Sequence, residues 1–542
     1  MDQTDAVIIG SGINGLVAAA LLSRAGWKVV VCERNDEPGG AIRTRSDVFE
    51  GYTVETLSSW HPLFVGGPAY AALKDDLAAH GLVYANTTRP TGVATPDGTL
   101  VISTEPEVAR AEFERFGDGA AWEAMLADFG GRIDLAFGLL GTDFWRPKSA
   151  SLGWTAFRRL GRQGLLTAGA EMLEPATPWL ERTFSSEVSR AALAPWALHN
   201  GLGPDDASSA FITKVIGAAV AMGGMPVPVG GGIALVRALV AIIESHGGSV
   251  ITGADVKGID TTSSAQGTRA TGVQLADGRR ITARRAVVAS TTPRALYHDL
   301  LPREVVADDR HAAAAAYRHG RAAMQIHLAL SAPARWADSR LDDVALVHVL
   351  DGVDSLSEAV NQAWRGLLPA RPTVAVGQPL TVDPSRAPDG RGLLWLQLQE
   401  LPRELRGDAA GTISGAADGW SEEVVQAYAD RVIDRVAQHV PGLRDLITDR
   451  LVLGPRELEG LNANLVGGDP YGGDCRVDQY VVWRPLTTAT GHDTGVRGLY
   501  QIGASTHPGP GLGGGSGYLV ADRLLAMQDS PMTKMVKRVT RR

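Results

Sequence analysis

The chain has 542 residues, 44% hydrophobic and 21% charged, enough for about two to four units of ~100–200 residues and too apolar for a disordered polypeptide. Its 52 basic and 60 acidic side chains leave a net charge of −8, which argues against a general nucleic-acid binder, because that needs a basic face. Only Cys32 and Cys475 are present, which excludes a disulfide scaffold and a cysteine zinc site and fits a reducing, cytoplasmic compartment.

The opening segment, MDQTDAVIIGSG, lacks the n-, h- and cleavage regions of a secretory signal. Asp5–Gly10, DAVIIG, predicts a short buried parallel strand. Gly10-Ser11-Gly12-Ile13-Asn14-Gly15 then fits G-x-G-x-x-G, Leu16–Ala25 predicts a helix capped by Gly26, and Trp27–Cys32 predicts a second strand ending at Glu33. Each part has a physical role. Gly10 permits the tight turn, Gly12 lets the backbone approach a pyrophosphate, Gly15 lets the helix pack on the strand, and the N–H groups at the helix start attract phosphate. Glu33 can accept hydrogen bonds from ribose hydroxyls and disfavours a 2′-phosphate. The unit predicts a bound dinucleotide, FAD or NAD. Gly39-Gly40 and Arg43 follow the acid as E-x(5)-GG-x-x-R.

Further along, Phe157–Arg162, FRRLGR, predicts a solvated helix face, and Ala210–Gly223, AFITKVIGAAVAMG, a buried helix. No run of ~18 uncharged apolar residues predicts a spanning helix. Met225–Leu239 places glycines before a helix; GGSVITGADVKGID, GVQLADGRRITA and RAVVAST predict successive strands, with a turn at Asp277-Gly278. Gln325–Leu330 and Leu393–Gln399 alternate as strands, and Glu422–Val440 has helical spacing with a Pro441-Gly442 stop. Gly498–Gly503, the glycine-rich Ala504–Gly517 and the helical YLVADRLLAMQ repeat the strand–turn–helix design, without the G-K-[ST] of a Walker loop. Residues 530–542 hold five basic and no acidic side chains, so the rest carries −8 − 5 = −13; they fit a solvated end or a weak electrostatic anchor to anionic lipid. No H-E-x-x-H, C-x-x-C or G-x-S-x-G is present, so no metal site and no hydrolase is expected.

The E-x(5)-GG-x-x-R arrangement resembles the extended fingerprint of FAD enzymes of the amine oxidase and phytoene desaturase superfamily. GLYQIGASTHPGPGLGGGSGYLVADRL resembles the C-terminal FAD motif of bacterial phytoene desaturases, and MPVPVGGGIALVRAL a middle segment of the same family. EGYTVETLSSWHPL and AAHGLVY look most like the subgroup of pyridine nucleotide-disulfide oxidoreductase domain-containing protein 2. The resemblance implies an α/β fold: a Rossmann-like FAD-binding domain of glutathione reductase type with an interleaved α+β substrate domain. Segments 1–45, 225–295 and 455–528 would form the FAD domain, 46–224 and 296–454 the substrate domain, and 529–542 a basic tail.

For the cofactor the resemblance implies contacts from Gly10, Gly12, Ile13, Asn14 and Gly15. Glu33 and Arg34 would follow, with Gly39, Gly40 and Arg43 along the pyrophosphate and Val256 at adenine. Gly503, Leu512 and Gly513 would lie at the flavin. The family's act is oxidation of an apolar small molecule: flavin N5 takes a hydride, a proton leaves the neighbouring carbon, and electrons pass to oxygen, a quinone or another acceptor. His61, in Ser58–Phe64, and His507 are the candidate acid–base residues, since histidine titrates near neutrality; His199-Asn200 is a third pair. Where many desaturases carry Asp-x-Gly-Pro, this chain has Glu55, Leu57 and Ser58, a departure from the carotenoid pattern. A flavin amine oxidase acting on C–N bonds, a redox-neutral flavin isomerase and a non-catalytic flavin-bearing interaction protein stay open. The oligomeric state is unassigned.

Overall fold

The computed structural model describes residues 4–529, so the basic segment at 530–542 lies outside the described residues. β1 (Thr4–Ile9) is buried at every position, as an apolar run in the middle of a parallel sheet must be. It leads through the glycine turn into α1 (Ile13–Arg24) and on to β2 (Val29–Cys32), which pairs with it in parallel from Ala6↔Val29 to Ile9↔Cys32. α2 (Ile233–Ser245) leads to β3 (Ser249–Ile251), parallel to β2. β4 (Val256–Ser264), β5 (Gly267–Leu275) and β6 (Arg280–Ser290) then form an antiparallel meander. β6 changes partners along its length. Its first residues pair with β5, its later ones run parallel to β1, and β7 (Leu499–Ile502) joins its other edge in parallel. α3 (Gly515–Asp529) follows and packs on α1.

Two strand boundaries differ from the sequence reading. GGSVITGADVKGID is two strands, because Gly253, at φ +63, turns the chain out of the parallel sheet. The Ala283–Ala286 junction carries no turn residue, only the exposed Arg284-Arg285, so RRITA and RAVVAS run on as one strand.

A second seven-stranded sheet has the order Ile447–Leu453, Ala322–Leu330, Gly392–Leu401, Val374–Gly377, Leu346–Val349, Thr91–Thr95, Gly98–Ile102. Side chains alternate across a strand, and here the two faces have different jobs. Met324, Ile326 and Leu328, with Leu394, Leu396 and Leu398, pack in one apolar cluster with Val425, Val432 and Val436 of the helix Glu422–Ala437. Ala323 and Gln325, with Trp395, Gln397 and Gln399, line a cavity on the opposite face. At Gln399–Glu400 the register shifts against Ala322–Met324, a bulge at the cavity floor.

Candidate functional site

The cavity, about 530 Å³, is walled by the glycine turns of the parallel sheet and by the second sheet. The turn between β1 and α1 is built by sterics. A Cβ on Gly15 would stand 2.2 Å from the Gly10 carbonyl oxygen, so helix and turn close on each other only with glycine there. A Cβ on Gly12 would meet nothing within 4 Å, and Gly12 lines the cavity. No side chain caps α1, which leaves its first-turn N–H groups for an anion.

Ser11 is the hub of this corner. Glu33 Oε2 accepts from Ser11 N at 2.9 Å and from Ser11 Oγ at 2.5 Å, while Oε1 accepts from Asn35 N at 2.9 Å. The acid is thereby fixed at the cavity wall with lone pairs to spare. Ser11 Oγ also accepts from Gly39 N at 3.2 Å. A Cβ on Gly40, at φ +62, would stand 2.8 Å from Gly12 Cα, so the Gly39-Gly40 pair lies flat against the first turn.

The distant glycine segment arrives from the other side. Ser516 Oγ donates to Asn14 Oδ1 at 2.9 Å and accepts from Gly503 N at 2.8 Å, joining residues 502 apart. A Cβ on Gly517 would stand 2.0 Å from Asn14 O. Leu512, at φ +56, is a rare left-handed non-glycine residue and lines the cavity beside Gly511.

Of the other residues raised from the sequence, Gly10, Ile13, Asn14, Arg34, Gly40, Val256 and Gly503 line the cavity. Gly15, Gly39, Arg43 and Gly513 lie behind that surface. Arg43 Nη2 is buried with no hydrogen-bond partner among the described residues. An uncapped helix start, open space at Gly12 and an oriented acid at the cavity wall fit a dinucleotide pyrophosphate and its ribose.

His61 is 1% exposed, and its Nδ1 lies 3.1 Å from the Tyr84 hydroxyl. Burial, helped by the Arg386 charge, holds its pKa down at about 3, so it is neutral. Its neighbours Trp60 and Pro62 line the cavity; His61 itself does not. His507 is buried, with Nε2 3.1 Å from Leu139 O and its ring edge-on to Phe144, also outside the lining. His199 does line the cavity, with Nε2 2.9 Å from Nε2 of His348. Both rings pack on Trp196, and burial lowers both pKa values, that of His199 to about 4. Glu55 faces away, accepting from Gly232 N at 2.7 Å at the start of α2, whereas Leu57 and Ser58 line the cavity. The Cys32 thiol, pushed up to about 12 by burial, is not a nucleophile. Among the described residues no group of three metal-ligating side chains converges.

Sequence reasoning missed Ser11, Asn464 and the glutamine floor. Asn464 lines the cavity and donates to Ser290 O at 3.0 Å. The alternation of LLWLQLQ was the one available signal for the floor, since it sets Trp395, Gln397 and Gln399 on one face.

A parallel sheet with a glycine turn, a terminal acid and a returning glycine segment over one cavity defines the class: a dinucleotide-binding flavoenzyme fold. The flavin containing amine oxidoreductase family matches residues 13–512, and the chain belongs to it. It is 26% identical to pyridine nucleotide-disulfide oxidoreductase domain-containing protein 2 of Rattus norvegicus, over 95% of this chain and 92% of that protein. It is 27% identical to a phytoene desaturase (lycopene-forming) of Paracoccus sp., over 97% of each. A putrescine oxidase triple mutant is similar in fold at TM-score 0.58 and 15% identity, covering 97% of this chain and 99% of that one. The chain is an FAD-dependent oxidoreductase.

Proposed function

We propose that the chain dehydrogenates a carbon–carbon bond of a largely apolar small molecule held in the shared cavity. One observation carries this reading: the cofactor turns and the apolar side chains Trp60, Trp196, Ile216, Val220 and Leu346 line one continuous space. Segments 1–45, 225–295 and 455–528 hold the cofactor in this reading, and 46–224 and 296–454 the substrate. When bound, FAD supplies the two-electron acceptor, later discharged to oxygen, a quinone or another acceptor. The chain excludes water, orients the substrate and takes the proton.

His199 is the proton acceptor in this reading, because it is neutral, faces the cavity and shares a hydrogen bond with His348. His61 and His507 act as supports of the wall. Entry of an apolar substrate fits a weak peripheral membrane contact. No helix among the described residues is long and apolar enough to cross a membrane, but the helical stretch Pro147–Leu173, broken by a kink at Gly161, exposes Trp154 and Phe157 beside Arg158 ahead of that kink.

The test is anaerobic reduction of the bound flavin by metabolites that co-purify, with product mass. Loss of two mass units is expected, with reduction slowed at least tenfold in His199→Ala and little changed in His61→Ala and His507→Ala. Unchanged product mass would mean an isomerase. Peroxide formed with amines would mean an amine oxidase.

A further inference from the structure

We infer that Gln397 and Gln399 bind a hydroxyl group of the substrate, so that the molecule oxidised is an apolar alcohol rather than a pure hydrocarbon. This rests on the reading of the cavity as a substrate site and narrows it. Both residues line the cavity, and the sequence puts them there. In the strand Gly392–Leu401, Leu394, Leu396 and Leu398 pack under the helix Glu422–Ala437, so Trp395, Gln397 and Gln399 take the opposite face. The strand is interior to its sheet, with Gln325 and Ala375 flanking Gln397 on the two neighbouring strands. A floor meant only for hydrocarbon would carry leucine or valine at these two positions, as the other face of the same strand does.

The protein itself barely uses these two amides. Gln399 Nε2 stands 3.5 Å from Gln397 Oε1, at the far limit of a hydrogen bond, and neither side chain has another hydrogen-bond partner among the described residues. Neither is shut away. Gln397 is half-buried and Gln399 6% exposed, and the amide atoms of both keep accessible surface. Other polar side chains of the lining are spent on the scaffold. Gln325 accepts from Trp395 Nε1 and donates to Leu57 O at 3.3 Å. Ser505 Oγ donates to Gly472 O at 2.6 Å, and the Tyr471 hydroxyl donates to Leu198 O.

Two amides joined by one N–H···O contact keep one carbonyl oxygen and one NH2 group free, whichever way round the pair is turned. A hydroxyl meets both, donating to the carbonyl and accepting from the NH2. A ketone or an ether meets only the NH2, a hydrocarbon meets neither, and a carboxylate brings its charge against the free carbonyl oxygen. An amide stripped of water by a ligand that cannot replace its hydrogen bonds is penalised, which is how a pocket built for a hydroxyl rejects the analogue lacking one. Trp60, Trp196, Ile216, Val220 and Leu346 offer the apolar remainder of the molecule its wall.

The test uses the FAD-loaded full chain and three probes, dodecanol, its methyl ether and dodecane, followed by tryptophan fluorescence and by the flavin absorbance. Wild type is expected to bind the alcohol at least tenfold more tightly than the ether or the alkane. Gln397→Met and Gln399→Met each reduce the preference and the double variant abolishes it, with affinity for the alkane undiminished and the flavin spectrum and FAD content unchanged. Equal binding of alcohol and alkane by wild type, binding of none of the three, or an undiminished preference in the double variant overturns the assignment. Loss of FAD from the variants also overturns it, since the pair would then serve the cofactor. Because the readout is affinity, it is separate from product mass. A chain that removes two mass units from a substrate without a hydroxyl retains the proposed reaction and loses this subsite, and a chain that prefers the alcohol but leaves product mass unchanged does the reverse.

Discussion

Gly15→Ala and Gly12→Ala differ by one methyl group three residues apart, and the structure separates their consequences. In Gly15→Ala the new carbon stands 2.2 Å from the Gly10 carbonyl oxygen, against about 3.5 Å for a relaxed contact. Both sides are backbone, so α1 must retreat by roughly 1 Å. Overpacking of this kind costs ~1–3 kcal/mol, partly offset by about 1 kcal/mol of helix propensity. The apoprotein should therefore lose on the order of 1–2 kcal/mol and melt at lower temperature. In Gly12→Ala the backbone, at φ −61 and ψ 166, already suits alanine and the methyl meets nothing within 4 Å. Apoprotein stability should stay within about 1 kcal/mol. The methyl instead occupies the space through which the pyrophosphate approaches, and FAD affinity should fall about ten- to hundredfold, at 1.4 kcal/mol per decade. The assay pairs apoprotein melting with titration of FAD by flavin fluorescence. A Gly12→Ala protein that binds FAD as tightly as wild type, or melts as low as Gly15→Ala, would refute the assignment of this turn.

Ser516→Ala leaves the buried Gly503 N–H and Asn14 Oδ1 without their shared hydroxyl and should cost ~1–3 kcal/mol, read as lower melting and faster FAD loss. Glu400 is fully buried, and burial pushes its pKa up to about 7 from an ordinary value near 4.5. Protonated in the fold and ionised when unfolded, it makes stability fall as pH rises through that window and level off above it. Glu400→Gln should flatten the slope between melting curves at about pH 5 and pH 8, and an unchanged slope would contradict the shift. Trp154 and Phe157 are 61% and 46% exposed. The double serine variant should bind anionic vesicles several-fold more weakly with unchanged FAD content, and equal sedimentation with vesicles would remove this helix from the contact.

The nucleotide corner was legible because its determinants are local. Strand, glycine turn, helix and acid lie within 33 residues, and each glycine has a steric reason that composition alone suggests. The returning segment was legible only as a second glycine-rich turn; nothing periodic in Ala504–Gly517 says that it meets Asn14, and that pairing came from resemblance. His61 and His507 were raised because histidine is a versatile acid–base group, yet the structure sets both outside the cavity lining and brings His199 to it. Which of three histidines faces a cavity depends on loops and short helices from separate parts of the chain.

The bond between Asn14 and Ser516 has a consequence for biosynthesis. At roughly 5–20 residues per second, the 502 residues from Gly15 to Ser516 take about 25–100 s to translate. Until β7 and α3 emerge from the ribosome, β6 presents an open edge and the nucleotide corner lacks its far wall. A nascent chain stalled before residue 499 is therefore expected to hold no flavin, and loading to wait until β7 and α3 have joined the sheet.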